Sequence, residues 1–289
     1  GSDFQSLAQG EPTTITLSYT ATDRHGAVSD PASLSITVTG VNDAPTLAAG
    51  SGAADEDGNT VSIDLAPLGD DVDSDDSGSS LTYSVTGQPA EGSASISGTS
   101  LTFSPDDDFQ NLAEGETRDV IVKVTATDTH GASAVNNVTI TVTGKNDVPT
   151  VEAVSVAAVE DGNAVTGAFV GDDVDSDDNV STLQYNIIGG PSAGSLANNG
   201  DGTFTFNPGG DFQGLAKNQL TTITLTYTAT DNKGAVSAPA TLTIDVTGIN
   251  DDPTLAAGTG AATEDGNAIA VDLSALGADV DSDNDGSNL

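Results

Sequence analysis

Closely spaced carboxylates are the residues of this sequence whose types and spacing could do chemistry. The segment 70–76 reads Asp-Asp-Val-Asp-Ser-Asp-Asp, so that Asp71, Asp73 and Asp75 alternate along the chain. Two unit charges 4 Å apart repel each other by about 1 kcal/mol even in bulk water. Oxygen donors favour a hard cation, and six to eight flexible oxygens favour Ca2+ over Mg2+. The loop therefore predicts a calcium site, with a solvated acidic turn as the alternative.

An EF-hand is a different way to bind calcium with such a segment, and the spacing excludes it. That loop needs Gly at its sixth position and Glu at its twelfth. Counted from Asp71, these positions are Asp76 and Thr82, and Thr82 begins a strand pattern.

The composition excludes several classes of function. The chain has 289 residues, 44 Asp and Glu against 6 Lys and Arg, a formal net charge of −38, and no Cys. Binding to nucleic acid requires clustered basic residues, and thiol chemistry requires Cys. No apolar run is long enough to cross a membrane as a helix. We therefore expect neither a nucleic-acid partner nor membrane insertion, and the absence of any catalytic motif predicts that the protein is not an enzyme.

The acidic loop is one of five motifs that recur in the same order about every 104 residues. The other four are "TGxNDxPT", "EDGN", "TATDxxGA" and "DFQxLA". Such periodicity predicts a tandem array. The predicted domains are a partial repeat at 1–45, complete repeats at 46–149 and 150–253, and a partial repeat at 254–289.

Within each repeat the apolar residues alternate with period two. Residues 119–127 and 136–143 show this most clearly, and further short strands are predicted at 61–65, 81–86, 93–97 and 100–104. In the second complete repeat, a hairpin is predicted around "NNGDGTFTF". About seven short strands per repeat predict an all-β fold, namely tandem immunoglobulin/cadherin-like Greek-key β-sandwiches in a linear array.

The five motifs together resemble a known family. "NDxP" at a repeat boundary, "ED" shortly after it, "DxD" before a strand and "AxDxxG" ahead of the last strand follow the cadherin order. With "TVTGxNDAPT", the sequence is similar to the VCBS and cadherin-like repeats of giant bacterial surface adhesins of the RTX type, which use type I secretion. The resemblance extends over the whole chain and implies Ca2+ ions shared at the junctions between repeats.

The resemblance also implies the ligands at each junction. For the junction near residue 43 they are Glu11, Asn42, Asp43, Asp71, Asp73, Asp75 and Asp128. For the junction near residue 147 they are Glu56, Glu116, Asn146, Asp147, Asp173, Asp175, Asp177 and Asp231. For the junction near residue 251 they are Glu160, Asn250, Asp251, Asp279, Asp281 and Asp283.

The expected function is that of a calcium-stiffened extender in a secreted, cell-surface adhesin. It would project a distal ligand-binding domain and support cell adhesion and biofilm formation, with neighbouring repeats of the same chain as partners and self-association as a further mode. One alternative is a self-associating or glycan-binding module that forms an extracellular filament or matrix, which a surface cluster of aromatic residues would favour. Another is halophilic acidity, in which the charge only keeps the surface hydrated and stability follows salt instead of calcium.

Overall fold

The chain forms two compact units built from β-strands. The computed structural model describes residues 3–284, and the units comprise residues 1–145 and 146–289. Between residues 3 and 284 all regular secondary structure is strand, which confirms the predicted all-β class. None of these described residues belongs to a helix that could cross a membrane.

Residues 3–145 of the first unit contain eleven strands, and six of them lie close to the predicted ranges. Their bounds are β1 (Pro12–Tyr19), β2 (Ala32–Thr39), β3 (Thr46–Leu47), β4 (Gly50–Asp55), β5 (Val61–Asp64), β6 (Gly69–Asp70), β7 (Thr82–Gly87), β8 (Ser93–Ser97), β9 (Ser100–Ser104), β10 (Thr117–Thr127) and β11 (Ser133–Thr143). β5 and β7 to β11 match the strands expected from the alternating pattern.

Two sheets face each other in this unit. One has four strands in the order β4-β11-β10-β7, and the other has three in the order β5-β9-β8. β4 runs parallel to β11, whereas the remaining neighbours are antiparallel. The hairpin β1–β2 and the short pair β3–β6 complete the unit.

The period of two determines the core of the first unit. Every second side chain of β10 and β11 points inward, where it meets the inward face of β9. The inward residues of these three strands are Leu101, Phe103, Val120, Val122, Val124, Ala126, Val138, Ile140 and Val142. Residues of both sheets therefore form one hydrophobic cluster, as a sandwich requires.

The second unit repeats this architecture with the same strand order. Its strands are β12 (Thr150–Val151), β13 (Val154–Val159), β14 (Val165–Ala168), β15 (Gly171–Asp172), β16 (Gln184–Ile188), β17 (Ser195–Asn198), β18 (Thr203–Asn207), β19 (Leu220–Thr230), β20 (Ala240–Thr247), β21 (Thr254–Leu255) and β22 (Gly277–Ala278). The sheets are β13-β20-β19-β16 and β14-β18-β17, with short pairs β12–β15 and β21–β22. β17 and β18 form the predicted hairpin.

The core of the second unit is more aromatic. Phe169 stacks on Tyr185 with ring centroids 4.9 Å apart, and it also packs against Phe204 and Tyr227. The hydroxyl of the buried Tyr227 donates to the carbonyl of Val170 at 2.9 Å, so its polar end is satisfied inside the core.

The "DFQxLA" motif forms an irregular turn, and its residues explain the motif. We call residues 3–11, 108–116 and 211–219 the base turns. In the turn at 108–116, Asp108 accepts a hydrogen bond from the Gly92 amide at 2.7 Å, Phe109 is buried, and Gln110 donates to Asp57 at 3.1 Å. The turn at 211–219 makes the equivalent three contacts.

The glycine of "TGxND" is required because the backbone passes directly over a base turn. A Cβ atom on Gly144 would lie 2.3 Å from the Ala113 oxygen, and one on Gly248 would lie 2.4 Å from the Ala216 oxygen. The amide of Gly144 also donates to the Glu116 carbonyl at 2.8 Å. This close packing fixes where the "ND" linker begins.

Candidate cation-binding sites

The linker of the first unit is held by two side chains of the repeat that follows it. Asn42 donates from Nδ2 to Asp128 Oδ2 at 3.0 Å and to its neighbour's carbonyl at 2.7 Å. The amide of Asp43 donates to Asp73 Oδ2 at 2.9 Å. The linker therefore lies between the acidic loop and the "TATDxxGA" turn.

The acidic loops, which we define as residues 71–75, 173–177 and 279–283, share one local conformation. In the first loop the amide of Asp73 donates to Asp71 Oδ1 at 3.0 Å, which is the hydrogen bond of an Asx-turn. The other two loops make the same bond at 3.1 and 3.0 Å. The middle carboxylates are buried in all three loops; they are Asp73, Asp175 and Asp281.

The Asp of "TATDxxGA" serves two purposes. Asp128 Oδ1 accepts hydrogen bonds from the amides of His130 and Ala132, both at 2.9 Å, which closes the turn. This leaves Oδ2 for Asn42. In the second unit, Asp231 repeats the arrangement with Asn146 at 2.9 Å.

The second unit contains a compact group of three carboxylates, Glu160, Asp251 and Asp281. One oxygen of each lies within 4.8 Å of the oxygens of the other two. Glu160 is 0% exposed, and its Oε1 accepts the amide of Ile249 at 2.6 Å. The amide of Asp251 donates to Asp281 Oδ2 at 3.1 Å. Three carboxylates thus lie together where the linker contacts the acidic loop.

Nine buried side-chain oxygens at these positions accept no hydrogen bond from the described residues. In the first unit they are Asn42 Oδ1, Asp71 Oδ2 and Asp73 Oδ1. In the second unit they are Asn146 Oδ1, Glu160 Oε2, Asp173 Oδ2, Asp175 Oδ1, Asp251 Oδ2 and Asp281 Oδ1. Buried polar atoms are normally satisfied, so this concentration of buried oxygen acceptors fits a positively charged ligand. The donors are all hard oxygens, and they fit a divalent cation of the calcium type.

Burial and like charge raise several of the pKa values. Burial raises the pKa of Asp175 to about 6, and the negative charge of Asp173 adds to the effect, against the stabilising amide of Asp147. Burial likewise raises the pKa of Glu160, and the charges of Asp251 and Asp281 raise it further. Without a cation, ionisation of these groups is therefore less favourable than that of an exposed carboxylate.

Hydrogen bonds have the opposite effect on the turn aspartates. Burial alone would raise the pKa of Asp128, but the side chain of Asn42 and the amides of His130 and Ala132 outweigh it and bring the pKa below its usual value. The same balance lowers the pKa of Asp231. These two carboxylates are stabilised as anions by the protein itself.

Three predicted ligands contact side chains outside the groups described above. Asp75 Oδ2 lies 3.8 Å from His130 Nδ1, and Asp177 Oδ2 lies 3.7 Å from Lys233 Nζ. Asp283 accepts a hydrogen bond from Asn284 at 3.2 Å.

The remaining predicted ligands also contact their own unit. Glu11 accepts hydrogen bonds from Ser74 and Ala8, and Glu116 accepts one from the Ala113 amide. Glu56 accepts a hydrogen bond from the Lys145 amide in the first unit. Asn250 donates to the Asp251 carbonyl at 2.6 Å, and Asp279 caps the third acidic loop.

Sequence reasoning missed the role of the carboxylate that follows each complete acidic loop. Asp76 is buried and accepts hydrogen bonds from Ser80 and from the Thr129 hydroxyl, the latter at 2.8 Å. Asp178 is buried in the same way and accepts from Thr182 at 2.9 Å. In both repeats a Ser or Thr lies four residues after this Asp. That recurring spacing could have indicated a hydrogen bond that stabilises the loop.

Comparisons with known proteins agree with this architecture. Residues 42–141 match the family model of a bacterial Ig domain, and residues 146–248 match that of a bacterial cadherin-like domain. No curated protein matches the sequence significantly. Each unit is thus similar to a known family of bacterial β-sandwich domain.

Solved cadherin structures are similar to the chain at low sequence identity. The protocadherin gammaB7 EC3-6 cis-dimer structure has 16% identity and a TM-score of 0.50, and the match covers 89% of this chain and 62% of that one. Mouse protocadherin-24 EC1-3 has 16% identity and a TM-score of 0.49, covering 85% and 81%. Drosophila N-cadherin EC1-4 has 16% and 0.45, covering 83% and 59%. The likeness to the protocadherin gammaB7 structure, with its TM-score of 0.50, supports a cadherin-like sandwich fold alone.

Proposed function

We propose that the chain is a calcium-binding extender region of a secreted bacterial cell-surface adhesin. In this proposal the complete repeats at 46–149 and 150–253 are flanked by the partial repeats at 1–45 and 254–289. The observation that supports it best is the set of nine buried, unpaired oxygens at the linkers and acidic loops. An extracellular location fits the two matched domain families, both of which are typical of surface proteins.

The residues with idle oxygens are the ones that would hold the cation. Glu160, Asp251 and Asp281 would do so in the second unit, helped by Asn250 and Asp279. At the first linker Asn42, Asp71 and Asp73 would contribute, with Asp43 and Asp128 orienting them. The same arrangement of types recurs at Asn146, Asp173, Asp175 and Asp231.

The mechanism follows from charge. Bound calcium would supply positive charge to oxygens that otherwise repel one another in a buried place. The linker side chains and the acidic loop would then be held together, so that the linker loses its freedom to swing. Because the cation would bind only this ordered arrangement, binding would stabilise the ordered state by about 2.7 kcal/mol when the calcium concentration is a hundred times Kd.

The extracellular setting fits weak sites. Calcium modules outside cells bind with Kd of about 10⁻⁴–10⁻³ M. Such sites would be empty in a low-calcium cytosol and filled outside, so the repeats would be flexible during secretion and stiff afterwards. A stiff array would hold a distal binding domain away from the cell and so support adhesion and biofilm formation.

Thermal unfolding of the full chain tests the proposal. We expect the melting temperature to rise strongly in millimolar Ca2+ relative to EDTA, and far less in equal Mg2+, because Mg2+ demands a stricter geometry. The amides of Asp43 and Asp251 should exchange with solvent more slowly in Ca2+. Equal behaviour in Ca2+ and EDTA would contradict the proposal.

The glycan-binding alternative receives little support from the surface. Stacking on sugars requires exposed aromatic rings, and of the aromatic side chains, all of which lie between residues 3 and 284, Tyr19 is the exposed one. The other rings are buried or partly buried, mostly inside the two cores.

A further inference from the structure

A second contact joins an acidic loop to the base turn that precedes it, and it involves a serine instead of the linker. In the first unit the amide of Ser74 donates to the carbonyl of Ser6 at 3.0 Å. The Ser74 hydroxyl donates to Glu11 Oε2, also at 3.0 Å. Ser74, the fourth residue of "DVDSD", thus makes two hydrogen bonds to one turn.

The second unit contains the same contact between different residues. The amide of Ser282 donates to the Gly214 carbonyl at 3.1 Å, and the Ser282 hydroxyl donates to Gln219 Oε1 at 3.0 Å. The acceptor residues differ between the two units: they are Ser6 and Glu11 in the first and Gly214 and Gln219 in the second. Because the contact recurs with different acceptor residues, it is a feature of the shared fold and not of one particular turn.

The acceptor is held in place by its own base turn. Glu11 Oε2 also accepts the amide of Ala8 at 3.0 Å, and Gln219 Oε1 accepts that of Ala216 at 3.0 Å. The residue before each acceptor has a left-handed backbone, with φ of 80° at Gly10 and 64° at Asn218. The turn thus aims one side-chain oxygen at the serine.

The charge of the acceptor differs while its contacts do not. A carboxylate at residue 11 and a neutral amide at residue 219 accept the same two donors at the same distances. A cation would favour a carboxylate at both places, whereas a hydroxyl and an amide donor need only an oxygen. The position therefore requires a hydrogen-bond acceptor and does not require a negative charge.

We infer that this serine and the Glu or Gln of the base turn form a clasp that docks the acidic loops at 71–75 and 279–283 on the base turns at 3–11 and 211–219 without a cation. The clasp deepens the proposed function, because it places the loop carboxylates in register before calcium arrives. Its existence does not depend on that function, since both contacts are complete without an ion. Ser74 and Ser282 are thus positioning residues for the candidate cation sites.

Hydrogen exchange of the full chain in EDTA tests the clasp. We expect the amide at position 74 to be protected, and Glu11→Ala to accelerate its exchange about three- to tenfold, the effect of losing one exposed hydrogen bond. Glu11→Gln should leave its exchange within about twofold of the original, because the amide oxygen replaces the carboxylate oxygen. Ser79→Ala is the matched control, since its hydroxyl contacts Ser77 in the same region and not the base turn.

Two results would overturn the inference. One is an unprotected amide at position 74 in EDTA, and the other is equal acceleration by Glu11→Gln and Glu11→Ala. Calcium titration of the same proteins separates this test from that of the proposed function. A chain that binds no calcium but shows the expected exchange pattern would refute the extender mechanism and support the clasp. A tenfold loss of calcium affinity in Glu11→Gln would refute the uncharged role of the position.

Discussion

Asp73, Asp175 and Asp281 each direct one oxygen to a linker amide and leave the other buried and idle. A buried acceptor without a donor costs about 1–3 kcal/mol, and more for a charged group. The protein accepts this cost at three equivalent positions. At the residue scale, these buried oxygens without a donor fit a bound cation. They also allow the effect of substituting single carboxylates to be predicted.

The neighbouring residues Asp251 and Asp252 provide a matched pair for this argument. Asp251 has a buried idle oxygen, whereas Asp252 is exposed. We expect Asp251→Asn to reduce the rise in melting temperature on adding Ca2+, and to raise the melting temperature in EDTA because one repelling charge is gone. Asp252→Asn should change neither value appreciably. Thermal unfolding in both buffers measures this, and similar responses of the two variants would refute the assignment.

The raised pKa of Asp175 predicts an unusual pH dependence without calcium. In the unfolded chain an Asp titrates near 3.9, and in the folded chain the pKa of Asp175 is about 6. Between these values the folded state binds more protons, so stability falls as the pH rises from about 4 to about 6. We expect the melting temperature in EDTA to fall over this range.

The variant Asp175→Asn is the control for that pH dependence. Because Asn does not titrate, the fall in melting temperature between pH 4 and 6 should become smaller. In saturating Ca2+ the slope of the original protein should reverse, since the ionised carboxylate is the form that a cation requires. A fall that is as steep in Asp175→Asn would assign the effect to other groups.

At the scale of elements, the base turns determine where each linker starts. The glycine of "TGxND" lies against the turn backbone so closely that a methyl group has no room. The base turn at 108–116 is itself held by the buried Phe109 and by the side chains of Asp108 and Gln110. A short irregular segment thereby fixes the start of the linker, which carries candidate ligands.

Substitution of that glycine should destabilise the second unit. In Gly248→Ala the new methyl group would lie 2.4 Å from the Ala216 oxygen. We expect a loss of about 1–3 kcal/mol in the free energy of unfolding, the usual cost of overpacking. Chemical denaturation measures the loss. Gly190→Ala is the control, because its Cβ would meet nothing within 4 Å, and an equal loss there would contradict the explanation.

Patterns of period two predicted the long strands β10 and β11, because inward Val and Ile alternate with mostly polar outward residues. They could not predict β4, since "GSGAAD" has no large apolar residue and its parallel pairing with β11 depends on a distant strand. The recurring "DVDSD" and "NDxP" motifs indicated the ligand candidates. The hydrogen bond between Asp76 and Thr129 and the serine clasp were not foreseen, because each joins residues that are far apart in the sequence.

For the whole molecule, the net charge of −38 is compatible both with calcium binding and with general acidity. The response of the melting temperature to salt distinguishes the two. Monovalent salt screens exposed charges, and its effect should be gradual. We expect 1 M NaCl in EDTA to raise the melting temperature less than millimolar Ca2+ in low salt. The two buffers can be compared in one unfolding series. Stability that follows ionic strength, with no specific effect of Ca2+, would support the halophilic interpretation.

The Asn and Asp of the first two linkers contact side chains of the repeat that follows them. Asn42 and Asp43 contact Asp128 and Asp73 in the first unit, and Asn146 and Asp147 contact Asp231 and Asp175 in the second. A gene segment that starts at such an Asn therefore carries its linker and the matching turn and loop as one heritable block. Unequal crossing-over just before this Asn would lengthen or shorten the array without separating these contacts, so the number of repeats could change readily during evolution.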